Sequence, residues 1–216
     1  MRPWMIGLAG LWAVFVATSA AAQNPAPPGK FDSYVLSLSW SPTYCATRAG
    51  RGDDEQCGPT RPYGFVVHGL WPQYATGGYP AECVASPPPV PDAVVAAMLP
   101  IMPSQKLIRH EWSRHGTCQG ANPAEYFAKT REAFAAVHIP KIFVAPQGPV
   151  IMTPAQVEAA FMAVNTGLTA DGVAVVCRGH HGAEIRLCLD KDLRFTACAR
   201  DVRDRCAGQA LFAPAR

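Results

Sequence analysis

Residues 31–40 (FDSYVLSLSW) alternate, with Tyr34, Leu36, Leu38 and Trp40 on one face and Ser37 and Ser39 on the other. That two-residue period predicts a strand with one buried side, ended by Ser41-Pro42. A polar stretch bearing Gly and Pro, 48–62, follows as a loop, with Cys45 and Cys57 at its base. Phe65, Val66 and Val67 form a short apolar strand that runs into His68-Gly69, and the stiff connector 87–91 precedes a short helix over 92–99. Three more helices have readable starts. Residues 105–115 lie between Pro103 and Gly116, a typical helix stop. Asn122-Pro123-Ala124-Glu125 supplies a cap, a first-turn proline and an N3 glutamate ahead of 126–137. Thr153-Pro154-Ala155-Gln156 repeats that logic before the stripe Val157, Phe161 and Val164. After Gly172, the runs 173–177, 183–189 and 193–198 are rich in strand formers, and Asp190-Lys191-Asp192 turns between the last two. Strands first, helices in the middle and strands last predict an α+β fold, a central antiparallel sheet with packed helices.

The first residues read differently. Arg2, the apolar run 4–17 and Ala20-Ala21-Ala22 have the pattern of a secretory signal peptide covering 1–22. The run is shorter than the roughly 20 residues a membrane span needs, and no later stretch reaches that length. After cleavage no membrane attachment is expected; an uncleaved anchor is the competing reading. Residues 23–30 (QNPAPPGK) form a Pro-rich leader with nothing to pack, and 31–216 read as a single domain. Arg2 is the one charged residue in 1–22, so its removal takes the net charge from +3 to +2, which permits a polyanionic partner without indicating one. All eight cysteines (Cys45, Cys57, Cys83, Cys118, Cys177, Cys188, Cys198, Cys206) follow the signal. An even number in an exported chain predicts disulfide staples and a secreted or periplasmic location. No C-x-x-C pair favours zinc instead, and spacing alone leaves roughly 100 pairings open.

Two segments carry polar residues that packing does not explain. In 64–74 (GFVVHGLWPQY), His68 follows an apolar strand and precedes a glycine, a strand end from which a side chain reaches a cleft. A core histidine satisfied by backbone groups is the plain alternative. In 110–118 (HEWSRHGTC), about 100° per residue places His110, Glu111, Arg114 and His115 within an arc of about 140°. Trp112 lies outside it and anchors the helix beside Ile108. A solvated charged face is the alternative here. The zinc-protease helix H-E-x-x-H sets its ligands four residues apart; His110 and His115 are five apart, and Arg114 would put a positive charge beside a cation. A metal-dependent hydrolase, with His68 as third ligand, remains the competing class, and a catalytically idle binding or storage protein is another.

Taken together, GFVVHGLWPQY and HEWSRHGTC resemble the two active-site segments of the ribonuclease T2 family. The likeness extends to FDSYVLSLSWSPTYC at the start of the domain and to AEIRLCLDKDLRFTAC near its end, spanning most of 31–206. The resemblance implies an endoribonuclease that cleaves single-stranded RNA through a 2′,3′-cyclic phosphate, without metal or other cofactor and without cleaving DNA; a monomer is expected. It implies His115 as base, His68 as acid and Glu111 as the carboxylate that orders them. His110 and Arg114 would hold phosphate, although the family commonly has lysine where Arg114 stands. Trp71 and Tyr79 match its base-stacking aromatics. Gln73 replaces the aspartate that reads a base edge in some relatives, which favours broad base specificity. The resemblance also implies the pairs Cys83–Cys118, Cys177–Cys206 and Cys188–Cys198, leaving Cys45 with Cys57.

Overall fold

The structure is a computed structural model that describes residues 26–215. The expected signal peptide and the start of the Pro-rich leader lie outside them. In chain order the elements are β1 (Ser33–Trp40), α1 (Ser41–Cys45), α2 (Asp54–Cys57), β2 (Phe65–Gln73), α3 (Asp92–Met98), α4 (Gln105–Arg114), α5 (Pro123–Ala135), β3 (Val150–Met152), α6 (Pro154–Val164), β4 (Val173–Arg178), β5 (His181–Leu189) and β6 (Ala210–Phe212). The strands form one six-stranded sheet, ordered β2-β1-β5-β6-β3, with β4 also paired to β5. Every ladder is antiparallel except β5 with β6, which meet in parallel at His181 and Leu211. The architecture is the expected α+β one, with that parallel contact, together with an isolated parallel bridge between Val176 and Arg205, making the sheet mixed.

One face of the sheet is the core. Tyr34, Leu36, Leu38 and Trp40 are buried there with Leu70, Ile185 and Leu187, against Ile108, Trp112, Tyr126, Phe127, Val157 and Phe161 from the helices. At roughly 1.5–3 kcal/mol for each fully buried large apolar side chain, this face dominates the stability of the domain. The helices begin where their caps place them. Asn122 with Glu125 and Thr153 with Gln156 each form a reciprocal capping box. The helix α4 ends at Arg114, ahead of Gly116 as expected; the chain then passes into a 3-10 turn over Gly116–Cys118, and a Cβ on Gly116 would stand 2.8 Å from Tyr126 Cδ1. Close packing requires that glycine.

Three expectations change. The serine face of β1 is not a solvent face, because Ser37 is fully buried and Ser39 half-buried. A central strand between β2 and β5 is covered on both sides. His68 does not end a strand either, since β2 runs on to Gln73. Its register against β1 passes from Ser37 opposite Gly69 to Leu38 opposite Val67, so His68 is the extra residue of a β-bulge. Finally, 193–198 form no strand. Leu193 has φ 63°, and the run touches β5 in one bridge, Leu189 with Phe195, beside the Cys188–Cys198 disulfide. All eight cysteines are paired, as Cys45–Cys57, Cys83–Cys118, Cys177–Cys206 and Cys188–Cys198.

Candidate active site

The buried serine side of β1 is the floor of a polar cluster. In the antiparallel register Ser37 lies between Gly69 of β2 and Arg186 of β5, and Ser39 opposes Glu184. Directly opposed residues share a face. Small serines on the middle strand leave space above it, and the bulge turns His68 into that space. His68 Nδ1 reaches Glu184 Oε1 at 2.9 Å across β1. Arg186 donates to Glu184 Oε2 through Nε and an Nη at 3.0 and 2.7 Å, and its guanidinium sits 5.2 Å from the centroid of the Trp71 ring.

The helix α4 closes the cluster from the other side. Trp112 and Ile108 anchor it in the core, and the Trp112 indole donates to Pro88 O at 2.8 Å. This turns Glu111, 1% exposed, toward β2, where Trp71 Nε1 donates to its Oε2 at 2.7 Å and His68 Nε2 lies 3.8 Å from its Oε1. A Cβ on Gly69 would overlap both Glu111 Oε2 and Trp71 Nε1, so the carboxylate packs directly on the β2 backbone. His115, capping α4, is 7% exposed with its ring 5.4 Å from Trp71 and 5.5 Å from Tyr79. Trp71 therefore lies between the two imidazoles, 5.1 Å from His68. Arg114 pairs with Glu82 at 3.1 Å at the cleft rim, and His110 is exposed on the same helix.

These surroundings set the charges. Burial works against a cation at His68, but the hydrogen bond to Glu184 and the charges of Glu111 and Glu184 outweigh it and raise its pKa above the ordinary imidazole value. Burial, reinforced by the positive charges of Arg114, His68 and His110, lowers His115 to about 3. Burial raises Glu111 to about 7, against the pull of His68 and the Trp71 hydrogen bond. Burial would raise Glu184 as well, yet the hydrogen bond and charge of His68 and the Arg186 ion pair bring it down to about 2. Two neighbouring imidazoles are thus driven in opposite directions.

The sequence pattern of the ribonuclease T2 family matches residues 31–198, well over half of the chain. The chain belongs to the ribonuclease T2 family. This family member is 42% identical over 108 residues to a "Ribonuclease" of Aeromonas hydrophila, covering 50% of this chain and 47% of that one. It is 37% identical over 138 residues to a "Probable ribonuclease" of Haemophilus influenzae, covering 59% and 50%. The chain thus spans about half the length of these curated relatives. Among solved structures, an RNase-related protein from Calystegia sepium superposes with a TM-score of 0.70 at 21% identity, covering 86% of this chain and 98% of that one. The chain therefore shares that protein's fold over most of its length.

His68, Trp71, Tyr79, Glu111 and His115 come together in this T2-type fold, with Arg114 and His110 at the edge. Gln73 is buried at the end of β2. Glu184 and Arg186 are the site members that sequence reasoning missed. The signal for them lay in AEIRLCL, where two charged residues two apart share one face of a strand.

Proposed function

We propose that the protein is an endoribonuclease that cleaves single-stranded RNA by attack of a ribose 2′-oxygen on the adjacent phosphorus. The observation that carries this is the convergence of two imidazoles, His68 and His115, on either side of Trp71 in one cleft, in surroundings that displace them in opposite directions and so favour an acid and a base at the same pH. Neutral His115 takes the 2′-hydroxyl proton as the 2′-oxygen bonds to phosphorus. The bond to the 5′-oxygen breaks, and His68 cation delivers the proton that the leaving oxygen requires. A 2′,3′-cyclic phosphate remains. In the second stage His68, now neutral, takes a proton from water as it attacks, and His115 returns its proton to the 2′-oxygen.

A phosphodiester anion beside His115 favours its protonated form, opposing the burial and the positive neighbours that depress it. Arg114 and His110 contribute charge along the phosphate path, and Glu111 holds Trp71 and faces His68 on its Nε2 side. Trp71 and Tyr79 give stacking surface of the sequence-tolerant kind, about 1–3 kcal/mol per base. With Gln73 standing where some relatives carry a base-reading aspartate, this favours broad base specificity. DNA lacks the 2′-nucleophile and is not a substrate. The reaction needs no metal, the protein acts as a monomer, and the disulfide framework fits a secreted or periplasmic enzyme. Mass analysis of fragments from a short RNA, with and without EDTA, tests the proposal. Cyclic phosphate ends should appear first and 3′-phosphates later, equally in both. Loss of cleavage on chelation, restored by zinc or magnesium, or the absence of cyclic ends, would refute it.

A further inference from the structure

Glu184 and Arg186 have no role in the acid–base cycle above, yet they stand against its acid. Both project from β5 onto the serine side of β1, where the residues between them and β2 are small. Glu184 spends one oxygen on His68 and the other on Arg186, with the two partners at 2.9 and 2.7 Å. We propose that Glu184 is a positioning residue for the reaction just described, holding His68 in the tautomer that bears hydrogen on Nδ1 and aims Nε2 into the cleft, while Arg186 fixes Glu184 from behind.

The geometry supports this over a plain structural ion pair. An imidazole has two ring nitrogens, and a carboxylate accepting from one leaves the other to face the substrate. Here the facing nitrogen, Nε2, is the one directed toward Glu111 and α4. Buried ion pairs are weak contributors to net stability, because desolvation offsets attraction. A Glu–Arg pair 15% and 21% exposed gains little by itself. It gains a function by pinning a third group. Arg186 also lies on Trp71, whose indole binds Glu111, so β5, β2 and α4 are joined through one chain of contacts: His68, Glu184, Arg186, Trp71 and Glu111. Neither end of the ring is then free to rotate.

The ionisable groups that face His68 are Glu184 and Arg186 from β5 and Glu111 and His115 from α4, and the adjoining cavity of about 270 Å³ brings Tyr44, Asp53 and Arg178 to its edge. Of these, Glu184 makes the one direct hydrogen bond to the ring. Removing its charge while keeping its shape separates positioning from charge. In Glu184→Gln the amide oxygen still accepts from Nδ1, but the negative charge is gone. The alkaline limb of the kcat/KM profile should then move down by about one pH unit or more, with KM little changed. On a nucleoside 3′-phosphate aryl ester, whose leaving group needs no proton, the deficit should largely vanish. Glu184→Ala should lose more than the glutamine variant, because the ring is no longer held.

The wild-type protein gives an independent reading that no folding failure can spoil. Nitrogen NMR above the pKa of His68 should show hydrogen on Nδ1 and a bare Nε2. The opposite tautomer, or an unmoved alkaline limb in Glu184→Gln, overturns the inference. The His68→Ala and His115→Ala variants separate this from failure of the underlying mechanism. If both are inactive while Glu184→Gln matches wild type, the positioning role alone is wrong. If either retains full activity, the acid–base reading itself is wrong.

Discussion

Replacing Gly69 by alanine tests the site by a single methyl group. Gly69 is not required by its backbone conformation; its need is spatial, since an added Cβ would overlap Glu111 Oε2 and Trp71 Nε1 and stand 2.9 Å from Glu111 Cδ. Backbone on one side and the core-anchored helix α4 on the other leave the carboxylate little room to retreat. The expected cost has two parts. Overpacking adds about 1–3 kcal/mol, and losing the Trp71–Glu111 hydrogen bond, one partner of which is charged, adds about 1.5–3 kcal/mol. For a domain of this size each kcal/mol lowers Tm by about 2–4 °C. The melting temperature should therefore fall by very roughly 5–20 °C, while the protein stays folded at room temperature. A catalytic group displaced by about 1 Å costs on the order of 100-fold in rate, so dinucleotide cleavage should drop by that much at 25 °C. Removing the obstacle should restore stability: in a Glu111→Ala background, Gly69→Ala should cost much less, a coupling that a double-mutant cycle measures. Full activity in Gly69→Ala, or an equal stability loss in both backgrounds, would refute the reasoning.

The remaining expectations are narrower. His68→Ala and His115→Ala should each lose several orders of magnitude in turnover with far from additive effects, and an aryl leaving group should rescue His68→Ala alone; rescue of His115→Ala alone would reverse the roles. Stability should fall on acidification below pH 4.5. His115, held at about 3 against 6.5, contributes stability that is lost as pH falls from 6.5 toward 3, and Glu111, raised to about 7 against 4.5, gains on protonation and offsets that loss between 7 and 4.5. Glu184, held at about 2 against an ordinary 4.5, contributes stability that is complete above 4.5 and lost as pH falls toward 2. Glu184→Gln should flatten that decline in a plot of Tm against pH, and an unaltered slope would count against the assignment. The denatured, unreduced mature protein should titrate no free thiol, and Cys83→Ser/Cys118→Ser should lower urea stability by about 2–4 kcal/mol; an unchanged midpoint would show that the bond closing the segment after β2 onto the end of α4 is dispensable.

Much of this was written locally in the chain. The cap sequences at Asn122 and Thr153 act over four residues, and the two histidine segments stand out because polar side chains interrupt apolar context within one short window. What was hidden depends on partners far along the chain. Glu184 and Arg186 read as the solvent side of an ordinary alternating strand. They become a site only because β5 pairs with β1, whose equally polar-looking face carries Ser37 and Ser39. The same pairing explains why that face is buried rather than wet. The bulge at His68 left no mark in the apolar run 65–67, because register is a property of two strands and not of one. β3 and β6, three residues each, are strands by virtue of each other. Residues 193–198 have the composition of a strand, but Leu193 at φ 63°, with Asp190 bound to the Arg194 side chain at 2.9 Å, holds the run in a tight reversal that ends regular pairing.

The bulge at His68 makes side chain and backbone at that position separable. The ladder to β1 passes from Val67 opposite Leu38 to Gly69 opposite Ser37, so the bulge absorbs position 68 and leaves Gly69 and Trp71 on the cleft side and Leu70 on the core side. Which residue it is matters little to the phase. Truncating the ring leaves Glu184 still paired with Arg186, and Glu111 can take up a proton, so no buried charge is stranded. A deletion would join Val67 to Gly69 in the same ladder, leaving Leu70 in the core and Trp71 at the cleft and removing only the imidazole and the local kink. Position 68 is a slot in which chemistry can be exchanged without disturbing the frame, because the frame on either side of it is already in register.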